Sequence, residues 1–126
     1  MKQKKIKLHI TTQAKQAQLY EEDDCFAIKE IDHKNVTYIY TLDDVKTIVN
    51  FEEQSVGLMR IDQGISAVWL NEFKEGLLFK STPYGSMSLP LKLNQLDVSD
   101  DGLTLSYHIM DQEKITETIT LTWEEL

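Results

Sequence analysis

The segment from Ile115 to Trp123 constrains the fold most. Ile115, Glu117, Ile119, Leu121 and Trp123 alternate with Thr116, Thr118, Thr120 and Thr122. A period of two is the repeat of a β-strand, because successive side chains leave a pleated backbone on opposite faces. One face is mostly apolar and the other is a threonine ladder, so this is a half-buried strand. The same period recurs at Ile6, Leu8 and Ile10 and at Leu103, Leu105, Tyr107 and Ile109. It appears again at Met87, Leu89, Leu91 and Leu93, where Pro90 has no N–H to give a ladder and marks an edge, bulge or break.

Residue usage points the same way. The chain holds 11 Thr, 11 Ile and 6 Val against four Ala, and branching at Cβ favours a pleated surface over a helix. Further strands are predicted at Val36–Tyr40, Lys46–Phe51, Ser55–Ile61, Ala67–Leu70 and Leu77–Ser81. Turn chemistry separates them at residues 32–35, 52–54, 62–64, 74–76, 83–85, 100–102 and 111–113. Gln13–Asp24 has no apolar stripe at helical spacing and reads as strand or loop. Residues 1–126 are expected to form one all-β domain, a single antiparallel up-and-down barrel of about eight to ten strands, since closure removes exposed edges.

Charge and motifs exclude several functions. Asp and Glu number 21 against 13 Lys and Arg, a formal net charge of −8, which argues against nucleic acid and anionic membrane as partners. Lone Cys25 forms no internal disulfide and belongs to no CxxC pair. The basic start, Met1–Lys7, leads into no apolar signal core, and no run nears the ~20 apolar residues of a membrane helix. The expected location is the cytoplasm. No P-loop, dinucleotide fingerprint, nucleophile elbow or calcium loop is present, no cofactor is implied, and an enzyme is the less favoured class.

The three histidines read as surface residues, Cys25 as strand packing, and the acidic pairs as solvated turns. Arg60 stands out as the one arginine. It shares strand parity with Val56 and Leu58, which would aim it into a barrel, where it needs a carboxylate, water or an anionic ligand. Glu117, which interrupts the apolar face of the last strand, is a candidate partner. The competing reading turns Met59 and Ile61 inward and leaves Arg60 outside. Tyr84, in the turn Thr82-Pro83-Tyr84-Gly85, lies over a barrel mouth or covers core residues.

An ordered series of segments resembles the YwiB-like family of small bacterial proteins: Val36-Thr37-Tyr38-Ile39-Tyr40, Val45–Val49, Leu58-Met59-Arg60 followed by Gly64, Thr82-Pro83-Tyr84-Gly85, and Ile119–Glu125. The sequence departs where relatives carry a carboxylate just after the second tyrosine, having Thr41-Leu42 before Asp43. The resemblance implies a calycin-type, lipocalin-like barrel and no established activity. Such barrels often hold small hydrophobic molecules. Two function classes therefore stand. One is a ligand-binding barrel, with an apolar body against Tyr38, Tyr40 and Trp69, an acid group on Arg60, and Tyr84 and Glu117 nearby. The other is a self-association or protein-interaction module, a homodimer using an exposed strand or the threonine face.

Overall fold

A computed structural model describes residues 2–126. Ten strands follow one another: β1 (Lys2–Ala14), β2 (Leu19–Asp32), β3 (Asn35–Leu42), β4 (Val45–Phe51), β5 (Ser55–Ile61), β6 (Ile65–Asn71), β7 (Lys74–Thr82), β8 (Gly85–Ser99), β9 (Gly102–Asp111) and β10 (Lys114–Glu125). Each pairs antiparallel with its sequence neighbour, and β1 also pairs with β10, from Leu8 opposite Glu125 to Ala14 opposite Ile119. The result is the up-and-down barrel that the alternation predicts. Gln13–Asp24 resolves into the end of β1, a turn and the start of β2. Its acidic run, Glu21–Asp24, lies in a strand rather than in the solvated turn expected of it.

Two bulges correct the reading of faces. In β8 the register shifts between Leu93 and Gln95, so inward positions pass from Leu91 and Leu93 to Leu96. In β10 a shift between Ile115 and Glu117 pairs Ile115 with Met110 and Glu117 with Ile109. Opposed residues in a ladder share a face, so Ile115 turns outward, half-exposed, instead of joining Ile119 and Leu121 inside. Pro90 pairs with Leu77 at the last position before β8 joins β9 at Leu91. Its missing N–H therefore falls where the strand has one partner only.

The core fills one end of the barrel. Leu8, Tyr38, Val49, Val56, Leu70, Leu91, Leu105 and Trp123 are wholly enclosed, each large apolar side chain contributing about 1.5–3 kcal/mol by leaving water. The C-terminus lies at this packed end, where the Leu126 N–H donates to the Lys7 carbonyl at 2.9 Å. Gly76 is required there, since a Cβ would come within 2.6 Å of the Trp69 carbonyl oxygen. The turns 15–18, 43–44, 62–64, 83–84 and 112–113 surround the other end.

Candidate functional site

At the packed end a charge is buried with its own partner. Lys29 points inward from β2, and its ammonium lies 2.6 Å from a Glu125 carboxylate oxygen and 3.3 Å from the Asp100 carbonyl. The Tyr38 hydroxyl donates to the same Glu125 oxygen at 2.8 Å. Side-chain exposures of 8% for Lys29 and 12% for Glu125 mark this pair as the barrel's plug. Burial and the Glu125 carboxylate push the Tyr38 hydroxyl far above its ordinary pKa. Tyr38 is thus a structural residue, and the ligand wall expected of it lies one layer deeper than any open space. Glu125, read as a solvated acid, is corrected likewise: the final strand runs its carboxylate back over the barrel's base.

The other end encloses a cavity of about 770 Å³ that opens among the turns. Its floor is Trp123, whose indole N–H donates to the Tyr40 hydroxyl at 2.8 Å, with Leu58, Val68, Leu121 and Tyr107 around it. Tyr107 is buried in side-chain surface, yet its hydroxyl has no side-chain hydrogen-bond partner among the described residues. Desolvation pushes it up to about 12, and the positive charge of Arg60 partly offsets this. Tyr40 is also pushed up by burial, with bonds from Trp123 and Thr47 and the Arg60 charge opposing.

Above this floor runs one row of polar side chains. Tyr40 lies opposite Thr47, Thr47 opposite Arg60, Arg60 opposite Ser66, and Ser66 opposite Lys80, across β3 to β7. All five line the cavity. Because cross-strand partners share a face, this is a continuous inward strip carrying two cations with a hydroxyl between them. Neither Arg60 nor Lys80 belongs to an ion pair among the described residues. Arg60 is inward by parity, and water reaches it because its strand ends at the mouth; the competing reading fails, since Met59 and Ile61 stand on the outer face. Glu21, Glu22 and Asp23 on β2 and Asp43 in the β3–β4 turn also line the cavity, beside the Tyr40–Thr47 end of the row.

Three other residues expected near a ligand lie elsewhere. Trp69 is on the outer face of β6, 45% exposed, because its parity opposes that of Val68 and Leu70. Tyr84 is almost fully exposed at a depression of the β7–β8 hairpin that it shares with Lys80 and Met87, and it does not pack on the core. Glu117 does face its neighbours' interior side, but its carboxylate accepts the N–H groups of Gln16 at 2.7 Å and Ala17 at 3.0 Å. It clasps the β1–β2 turn and is not the partner of Arg60. Sequence reading missed Lys80, although it is in phase with Leu78, and placed Tyr107 among the core aromatics, in phase with Leu105. Only the register between strands reveals that Lys80 joins Arg60 in one row.

Residues outside the cavity follow simpler chemistry. His9, on the outer face, lies 2.5 Å from the Asp24 carboxylate, whose hydrogen bond raises its pKa. His108 bonds the Thr118 hydroxyl at 2.9 Å. The half-buried Cys25 thiol is pushed up by desolvation and by Asp23 and Asp24, which makes it a poor nucleophile. No group of three potential metal ligands occurs among the described residues.

Comparison with solved structures finds the same architecture in the YwiB protein of Bacillus subtilis. That match has a TM-score of 0.72 at 18% identity and covers 98% of this chain and 93% of that one. At this identity the likeness establishes a shared fold. No protein-family model and no curated protein matches the chain.

Proposed function

We propose that the protein is a small-molecule-binding barrel of the YwiB-like group, with calycin-type use of its interior, and that its ligand is amphipathic with an anionic head. The observation that carries this reading is the Thr47–Arg60–Ser66–Lys80 row set above an apolar and aromatic floor. Small-ligand pockets generally combine about 300–1,000 Å³ of mostly apolar space with a few convergent polar groups. Here the Arg60 fork and the Lys80 ammonium take the acid group, and Ser66 and Thr47 supply hydroxyl donors between and beside them. The apolar body lies against Leu58, Val68, Leu121 and Trp123, and the free Tyr107 hydroxyl meets a polar atom along it. The acids on β2 and in the β3–β4 turn repel a second anionic group, so the ligand carries one acidic end. The lone, poorly reactive Cys25 is in keeping with a cytoplasmic setting.

The test is a thermal-shift and native mass spectrometry series with medium-chain carboxylates, alkyl phosphates and the alcohols of equal length. Acids should raise the melting temperature and be retained on the protein, while the alcohols should do neither. Arg60→Gln with Lys80→Gln should abolish the distinction without lowering the unliganded melting temperature. A panel in which no acid shifts the wild-type protein, or in which alcohols act equally well, overturns the reading.

A further inference from the structure

The outer wall of β5–β8 is a surface of a different kind, independent of the cavity. Register sets its outward side chains in three rows of four. The first is Gly57, Trp69, Leu77 and Pro90. The second is Met59, Ala67, Phe79 and Ser88, and the third is Ile61, Ile65, Ser81 and Ser86. None of these twelve is charged, whereas the chain's 27% charged content would place charge at about three of twelve surface sites. Met59, Ile65, Trp69, Leu77 and Phe79 are 38 to 47% exposed. The middle row continues onto β4, β3 and β2 as Ile48, Ile39 and Ile28, the last also half-exposed.

We propose that a second copy of this chain packs on this wall, giving a symmetric dimer joined sheet face to sheet face. Charge and area select that occupant. Two copies at −8 each repel, and this wall is where they approach without setting charge against charge. Its rim mixes Lys46 and Lys92 with Glu75, which is not the basic belt that holds an anionic lipid surface. A four-strand stretch of barrel wall is gently convex and carries no groove, so it suits another sheet laid across it at about 10 Å spacing rather than a helix needing a groove. The half-exposed side chains and the small residues between them offer roughly 500–700 Å² of apolar surface, and Ile48, Ile39 and Ile28 extend this toward the ~800 Å² per partner of a standard interface.

The rim fixes the orientation. Exposed Lys46 lies beside Ile61 at one corner of the wall, and exposed Glu75 stands beyond Leu77 at the diagonal corner. A two-fold axis along the other diagonal lays Lys46 of each copy over Glu75 of the other and crosses the two sets of strands near a right angle, one of the established ways for sheets to pack.

Sedimentation velocity on the full chain across a concentration series should show a species of twice 14.6 kDa. Trp69 fluorescence should shift to the red on dilution, read in a Trp123→Phe background. Trp69→Glu should yield a monomer with an unchanged circular dichroism spectrum. If that variant misfolds, Leu77→Lys serves in its place. Lys46→Glu and Glu75→Lys should each weaken association about tenfold, and the double exchange should restore it. A wild-type chain that stays monomeric at high micromolar concentration overturns the proposal. So does a dimer that survives Trp69→Glu or Leu77→Lys, binding of the wall to lipid vesicles by a monomeric chain, or charge exchange that fails to rescue.

Discussion

The two ends of the barrel each place a basic side chain inside, and they treat it in opposite ways. Lys29 is enclosed, and the chain supplies everything it needs: the Glu125 carboxylate, the Asp100 carbonyl and, through Glu125, the Tyr38 hydroxyl. Arg60 shares its row with Lys80 and has no ion-pair partner among the described residues. The contrast teaches that an inward charge in this fold is a question of depth. Where water is excluded the protein must provide the counter-charge, since an unpaired ion there costs several kcal/mol. Where the strands end at the mouth, water substitutes and the charge stays available.

Removing the counter-charge at the packed end should have the largest effect. Glu125→Ala leaves Lys29 buried without a partner and takes the acceptor from Tyr38, and should cost about 3–5 kcal/mol in urea unfolding. Raising the pH attacks the cavity floor next. Between about 10 and 12 the folded chain keeps the Tyr107 proton while the unfolded chain releases it. Stability present below pH 10 should therefore fall through that window, with Tyr107 contributing on the order of 2 kcal/mol and buried Tyr38 and Tyr40 adding to the loss. The Tyr107 share is the difference between the wild type and Tyr107→Phe in denaturant melts at stepped pH. Tyr40→Phe strands the indole N–H of buried Trp123. A loss of about 1–2 kcal/mol is expected, and a change below 0.3 kcal/mol would mean that water reaches Trp123. Arg60→Gln should move stability by no more than about 0.5 kcal/mol. A loss like that of Glu125→Ala would erase the contrast between the ends.

The architecture was legible because alternation and turn chemistry are local. Hairpin order, most strand limits and the one-partner position of Pro90 follow from residues within a few positions of each other, although the turn expected at 74–76 falls at 72–73, so that β7 begins at Lys74. The site was legible only in part. Parity along β5 aims Arg60 inward, but nothing along that strand says that Ser66 and Lys80 stand beside it. Those adjacencies belong to the register between strands. Tyr38 and Tyr40 look equivalent in Tyr38-Ile39-Tyr40, yet the first lies in the plug and the second on the cavity floor, one pleat apart. The bulge at Thr116 reverses Ile115 while leaving the threonine alternation unbroken to the eye. The neutral wall of β5–β8 was equally hidden, since its twelve residues come from four strands.

The seam between β1 and β10 also has a kinetic meaning. Nine of the ten neighbouring pairs are hairpins that can form locally. The tenth joins residues more than a hundred positions apart, such as Leu8 and Glu125. Until it closes, the meander has a raw edge on each side, and Glu125 cannot reach Lys29. Closing so long a loop costs entropy before any contact repays it. Barrel closure and neutralisation of the inner lysine are therefore one late event, and the cavity acquires its floor in the same step, because Trp123 arrives on that strand.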